Sequence, residues 1–160
     1  RLLVVGYHSL IDAARDVPML LTHRPAAIEA IDQAIVATMR ARRGENSVPA
    51  MPTGEAWLYA EFADTVADLD LDVISREVTA RGHAVSVTPV LDPVHAAALW
   101  RVREDGAGLA SNLLDGRRGR PGWEDAAVPP DRLAEYLERL DELSARHGFS
   151  GVLYGHFGAG

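Results

Sequence analysis

Apolar residues along this chain follow two periods, one typical of strands and one typical of helices. Runs rich in β-prone residues predict five strands, near 2–7, 57–62, 83–90, 125–128 and 149–157. The run at 57–62 is rich in aromatic residues and apolar on both faces, so we expect it to be central in a sheet. Residues 83–90 alternate, with Val85 and Val87 on one side, which predicts a half-buried strand.

Helical spacing of apolar residues separates these runs. Ser9 and Asp12 form an approximate capping box before a helix over 10–21, and Pro18 is expected to kink or restart that helix. The remaining predicted helices cover 26–39, with a short strand before it as an alternative, 64–81, a segment opened by Asp92-Pro93, and a segment from Pro130 to His147.

This order of elements fits two architectures. One is a doubly wound parallel sheet, and the other is an α+β sandwich in which helices cover one face of a mainly antiparallel sheet. The half-buried alternation of 83–90 and the lack of a Gly-rich turn after the first strand favour the second. We therefore expect an α+β, ferredoxin-like sandwich that forms one domain over residues 1–160.

Composition excludes several function classes. The 160 residues carry a net charge of −7, and every basic residue is Arg, which disfavours nucleic-acid binding. The absence of Cys excludes thiol catalysis and iron–sulfur ligation by this segment. No apolar run approaches the roughly 18 residues of a membrane span, so we expect a soluble segment. The chain begins with Arg1 and ends in a Gly-rich stretch, and both ends are expected to be cuts through a longer protein.

Two segments carry candidate chemistry. His156 lies among glycines in the last predicted strand, and alternation puts it on one face with Val152 and Tyr154. Its imidazole offers a metal ligand or a proton carrier, although a structural histidine is the alternative. Arg103 lies on the helix after Pro93, where its guanidinium suits bidentate binding of a carboxylate if Leu99 and Val102 are buried. A solvated ion-pair face is the alternative for Arg103.

A third segment pairs two carboxylates, Glu124 and Asp125, after Trp123. Neighbouring residues of an extended chain face opposite sides, so one carboxylate is expected to point into a site and the other into solvent. The alternative is a charge cluster that favours the N-terminus of the next helix. The arginines at 117–120 suit an anion, or else a solvated loop.

Three motifs in this order resemble a known family. They are Ala97-Ala98-Leu99-Trp100-Arg101-Val102-Arg103-Glu104, Trp123-Glu124-Asp125-Ala126-Ala127-Val128-Pro129 and Tyr154-Gly155-His156-Phe157-Gly158. Together they resemble the C-terminal substrate, or cap, domain of FAD-linked oxidases, a family that includes D-lactate dehydrogenases, glycolate oxidase and D-2-hydroxyglutarate dehydrogenase. The resemblance covers most of the chain, is nearest to bacterial forms fused to an iron–sulfur domain, and places Glu29 and Asp32 in a helix.

The resemblance implies an α+β cap over FAD that is held mainly by an N-terminal domain absent from this chain. The implied reaction is oxidation of a lactate- or glycolate-like D-2-hydroxy acid, with the fragment itself inactive. Arg103 is then expected to bind the substrate carboxylate and His156 to be a metal ligand or acid–base group, with Glu124, Asp125 and Tyr154 on the cofactor side. The implied partners are the FAD-binding domain and an iron–sulfur domain, in the cytoplasm or at the membrane periphery.

The chain departs from the family pattern at three points. The family motif reads Gly-His-Leu/Phe-Gly-Asp-Gly-x-x-His, but Ala159 replaces the Asp, and the chain stops before the second His. A divalent metal site is therefore expected to be incomplete here. Trp123 stands where the D-2-hydroxyglutarate branch has Lys. The alternative function is a non-catalytic ferredoxin-like binding module.

Overall fold

A computed structural model of the chain describes residues 1–64, 69–109, 126–149 and 151–160. The strands are β1 (Leu2–Tyr7), β2 (Ala27–Asp32), β3 (Ala56–Glu61), β4 (Ala84–Val90) and β5 (Tyr154–Gly155). The helices are α1 (Leu10–Thr22), α2 (Gln33–Arg43), α3 (Leu71–Arg81), α4 (Pro93–Leu109) and α5 (Leu133–Arg146). Short 3₁₀ turns cover Glu45–Ser47 and Pro130–Arg132.

All five strands form one antiparallel sheet in the order β4-β1-β3-β2-β5. Helices α1 and α3 connect strands that are not neighbours, which is the split β-α-β arrangement of ferredoxin-like folds. Helix α2 is an addition between β2 and β3. The predicted α+β class and antiparallel sheet are confirmed, and β3 is the central strand, as its aromatic-rich sequence predicted.

Helices cover both faces of the sheet. On one face, Leu3, Val5 and Tyr7 of β1 belong to a core built with α1, α3 and α5. On the other, Leu2 and Val4 belong to a second core with α2 and α4. The structure thus differs from the expectation of helices on one face only. Every residue of β1 is buried, so its apolar side chains need cover on both sides.

The segment predicted as a helix over 26–39 divides into a strand and a helix. Residues Ala27–Asp32 pair with β3 as β2, and the carboxylate of Asp32 caps α2 by accepting from the Ala34 N–H at 2.7 Å. A short apolar run fits either period, and pairing with β3 decides the outcome here. The capping role of Ser9 is confirmed, whereas α1 continues through Pro18.

The other differences concern ends of elements. Helix α3 begins at Leu71 with Asp70 as its cap, not at Asp64. Residues 126–128 are not a strand, and only Tyr154–Gly155 of the predicted strand over 149–157 pairs with the sheet. In the edge strand β4, Val85 is exposed rather than inward. Within the described part of the chain, no helix is long and apolar enough to cross a membrane.

Candidate functional site

A buried carboxylate on β2 joins three elements on the α4 side of the sheet. Ile28 and Ala30 of β2 face the α1 core, so Glu29 between them faces the side on which α4 packs. Glu29 is 6% exposed. It contacts Arg103 of α4 and His156, which follows β5. We call Glu29, Arg103 and His156 the Glu29 triad.

The position of Arg103 follows from how α4 is built. Asp92 caps the helix, because its carboxylate accepts from the N–H groups of Val94 and His95. Leu99 and Val102 are fully buried against the sheet, as the interpretation of Arg103 required. Arg103 comes next on the helix, and its side chain is 11% exposed.

The guanidinium of Arg103 binds one oxygen of Glu29. Its Nε and Nη2 atoms donate to Oε2 at 3.0 Å and 2.9 Å. The guanidinium carbon also lies 5.1 Å from the centre of the Tyr154 ring, within the range of a cation–π contact. Arg103 is thus held from two sides, so it is not part of a solvated ion-pair face.

His156 binds the other oxygen of Glu29. Its Nδ1 lies 2.5 Å from Oε1, and since an ionised carboxylate only accepts hydrogen bonds, Nδ1 carries the proton. The side chain is otherwise 76% exposed. The backbone around it is anchored, because the N–H groups of Ala159 and Gly160 donate to the carbonyl of His156. The structure therefore holds the ring by Nδ1 and leaves Nε2 on its open side.

The glycines around His156 have different causes. A Cβ at Gly158 would lie 3.2 Å from Ile28, and the Gly158 N–H donates to the Ile28 carbonyl at 3.0 Å. Gly160 has a φ of +95°, and a Cβ there would collide with the Val128 carbonyl. Both glycines permit close packing within the chain. Gly155 has no such neighbour within 4 Å, so it alone agrees with the prediction of space for a ligand.

A tyrosine pair completes the surroundings of Glu29. Tyr59 lies opposite Glu29 in the β2–β3 register, and its ring contacts Trp100 of α4 edge-on, with centroids 6.0 Å apart. Its buried hydroxyl has no hydrogen-bond partner among the described residues. Burial raises the pKa of Tyr59, so this phenol stays protonated at neutral pH and is not a base.

Three of the residues selected from the sequence come together in the structure: Arg103, Tyr154 and His156. The carboxylates of Glu124 and Asp125, with Trp123 and the arginines at 117–120, lie outside the described residues. Sequence reasoning missed Glu29 as a site residue because it placed Glu29 in a helix. The available signal was one charged residue in the apolar run Ala27-Ile28-Glu29-Ala30-Ile31, since a fully buried carboxylate needs partners.

The described residues do not fit the phosphates of a dinucleotide. A helix N-terminus is the usual backbone site for a phosphate, but α1, α2, α3 and α4 are each capped by a side chain of their own. The cap is a carboxylate in all but α1, and there Asp12 lies in the first turn. Negative charge at these positions repels an anion. A dinucleotide would therefore need a cradle built from residues other than these.

A metal fits the described residues only in part. Nε2 of His156 is an atom that can bind a divalent metal, but Oε2 of Glu29 is already neutralised by Arg103. No group of three or more His, Asp or Glu side chains comes together within the described ranges. A metal at His156 would need its other ligands from elsewhere.

Comparison with known proteins agrees with this arrangement. Residues 1–160 match the family model of FAD linked oxidases, C-terminal domain. The chain belongs to this family. The resemblance found in the three sequence motifs is thereby confirmed over the full length of the FAD-linked oxidase domain.

Relatives of this FAD-linked oxidase domain carry two activities in their names. It is 29% identical to D-2-hydroxyglutarate dehydrogenase of Pseudomonas putida, over 98% of this chain and 17% of that protein. It is 25% identical to the Escherichia coli D-2-hydroxyglutarate dehydrogenase, over 100% of this chain and 17% of that protein. A D-lactate dehydrogenase of Anaerostipes hadrus is 26% identical over 99% of this chain and 34% of its own length. The chain thus spans about one sixth of the first two relatives.

Proposed function

We propose that this chain is the substrate-side domain of an FAD-dependent oxidoreductase that oxidises a D-2-hydroxy acid. The observation that carries the proposal is the Glu29 triad, because it places a guanidinium and an imidazole on the same carboxylate. A 2-hydroxy acid presents a carboxylate beside a hydroxyl group. The two side chains match these two groups, and the family match supports the class of reaction.

Arg103 is the proposed anchor of the substrate carboxylate. A planar guanidinium forms paired hydrogen bonds to a carboxylate, which fixes the orientation of the adjacent carbon. Because Arg103 is already held by Glu29 and Tyr154, little side-chain entropy is lost when it binds a second anion.

His156 is the proposed acceptor of the hydroxyl proton. Nδ1 donates to Glu29, so the neutral ring has its lone pair on Nε2, which can take a proton or bind a metal. When bound, FAD accepts a hydride from the substrate carbon. Removing the hydroxyl proton at Nε2 favours loss of that hydride because negative charge builds on the oxygen.

The remaining parts of the proposal concern the parent protein. A separate FAD-binding domain of the same polypeptide is expected to hold the cofactor, since the described residues offer no cradle for its phosphates. An iron–sulfur domain, a divalent metal near His156 and a cytoplasmic location belong to the same proposal. So does the assignment of residues 1–160 as one fragment of the C-terminal domain.

The test is flavin reduction in the complete flavoprotein that contains this chain. Anaerobic mixing with D-lactate, glycolate or D-2-hydroxyglutarate bleaches the flavin absorbance if the acid is oxidised. Arg103→Ala and His156→Ala are each expected to slow this bleaching by about 10²-fold to 10⁴-fold, because anchoring and proton transfer are lost.

Two matched controls accompany these variants. Arg101→Ala removes an exposed arginine from the same helix, and His147→Ala removes an exposed histidine at the end of α5. Both are expected to keep the parent rate. Near-parent rates in the Arg103 and His156 variants would contradict the proposal and favour a non-catalytic binding module.

A further inference from the structure

Glu29 is the residue through which Arg103 and His156 are connected. Its two oxygens are divided between them, with Oε2 on the guanidinium and Oε1 on the imidazole. The three residues come from β2, α4 and the segment after β5, which are far apart in sequence. One buried carboxylate thus sets the position of two side chains that no local sequence constraint brings together.

Burial makes this arrangement exclusive. A carboxylate removed from water is costly unless its charge is neutralised and its lone pairs are satisfied. Arg103 supplies the charge, and the Nδ1–H of His156 supplies a hydrogen bond to the second oxygen. If His156 carried its proton on Nε2 instead, the bare Nδ1 lone pair would face Oε1 at 2.5 Å, which is repulsive. The carboxylate therefore selects one tautomer of the ring.

We propose that Glu29 is the positioning residue of this site: it fixes His156 in the Nδ1–H tautomer, with Nε2 as the reactive atom, and holds Arg103 beside it. This inference deepens the proposed function and rests on it only for the catalytic consequence. The geometry of the triad is a property of the chain alone. The same logic orients histidines that bind metals or protons in many sites, where the partner of the second nitrogen sets which nitrogen is available.

The side chain at position 29 has matched replacements. Gln keeps the size of Glu but has one acceptor oxygen, so it cannot serve Arg103 and His156 together. Asp keeps the charge but is one methylene shorter, so it reaches only one of them. The control is Glu77→Gln, because Glu77 forms an exposed pair with His23 elsewhere on the surface, through Nε2 of that ring at 2.7 Å.

The first test is ¹⁵N NMR of the 160-residue chain at alkaline pH, where neutral histidine tautomers are distinguished by their ring nitrogen shifts. In the unaltered chain His156 is expected as the Nδ1–H form. Glu29→Gln is expected to shift it toward a mixture with the Nε2–H form, whereas Glu77→Gln changes only His23. An Nε2–H form of His156 in the unaltered chain, or no change in a folded Glu29→Gln chain, would overturn the proposal.

The second test is flavin reduction by a D-2-hydroxy acid in the complete flavoprotein. Loss of an outer hydrogen-bond partner typically costs about 10-fold to 100-fold, and we expect Glu29→Gln to lower the maximal rate by this factor. Glu29→Asp is expected to recover substrate affinity or the maximal rate, but not both. Circular dichroism checks that each variant is folded.

The two tests separate the inference from the proposed function. If the parent protein oxidises no hydroxy acid, the proposed function fails while the tautomer result still supports Glu29 as the positioning residue. If oxidation occurs at an unaltered rate in the Glu29→Gln protein, the positioning role is wrong and the proposed function stands.

Discussion

Two buried carboxylates illustrate how single residues decide the chemistry of this molecule. Glu29 faces the α4 side of the sheet, and Asp16 of α1 is fully buried on the opposite side. Asp16 accepts from Arg81 at 2.6 Å and contacts Nδ1 of His83 at 2.8 Å. Burial and the charge of Asp16 raise the pKa of Tyr7. Each face of the sheet thus buries one carboxylate against an arginine and a histidine, but only Glu29 lies in the cluster that includes Tyr154.

Asp32 provides a prediction about pH. Burial raises the pKa of Asp32, so the folded chain keeps this proton to higher pH than the unfolded chain does. The stabilisation is complete below the ordinary pKa of Asp and is lost as pH rises through the raised value. Asp32→Asn keeps the cap of α2 but does not ionise. Its urea midpoint should therefore fall less, or rise more, than that of the unaltered chain between about pH 4 and about pH 7.

The control for this prediction is Asp70→Asn, which alters the cap of α3 at an exposed position. It shows what the exchange does to a cap without burial. Parallel pH profiles for the Asp32→Asn and unaltered chains would contradict the prediction.

The sequence allowed Arg103 and His156 to be selected, because each side chain has a distinctive chemistry and lies in a recognisable motif. It did not reveal that Glu29 binds both. A carboxylate at a buried strand position looks like any other charged residue until the elements that surround it are known.

Among the elements, α4 has the largest influence on the site because it carries Arg103. Its approach to α2 depends on Gly106, where a Cβ would lie 2.2 Å from Cγ2 of Ile35. Gly108, two residues later on the same helix, has no neighbour within 4 Å. The two glycines therefore differ in cause: Gly106 allows two helices to pack closely, and Gly108 does not.

This difference predicts opposite effects of the same substitution. Gly106→Ala should lower the free energy of unfolding by about 1–3 kcal/mol, because Ile35 is branched at Cβ and cannot move aside without displacing the helix. Gly108→Ala should be neutral or stabilising by up to about 1 kcal/mol, since Ala favours a helix. Urea unfolding of both variants measures the contrast. Equal stabilities would show that α4 does not depend on Gly106.

The predicted elements were most accurate where several signals coincide. β1 and β3 were predicted to within a residue, and the caps at Ser9 and Asp92 were predicted correctly. The segment over 26–39 was wrong because its apolar residues fit a helix as well as a strand. Only an available edge of β3 distinguishes the two, and that edge is not visible from local sequence.

The whole sheet is covered on both faces, and the triad lies where the cover on one face includes α4 and the segment after β5. The described residues supply polar groups for a substrate but no cradle for dinucleotide phosphates. The division of labour expected in an FAD-linked oxidase follows from this.

We therefore predict that the 160-residue chain, purified alone, is colourless. FAD added to it should be lost on gel filtration, because the positions that usually bind phosphate are occupied by the caps of this chain. Absorbance near the flavin bands measures retention. A yellow preparation with one flavin per chain would contradict the assignment of the cofactor to another domain.

The sequence alone was enough for the α+β class, the central position of β3, the family and the two side chains most suited to a hydroxy acid. These depend on local periodicity and on motifs, both of which are written along the chain. Tertiary structure decided that helices cover both faces, that residues 27–32 form a strand, and that Glu29 joins Arg103 to His156. These depend on contacts between distant segments, and a buried charge acquires its meaning only from the partners that folding brings to it.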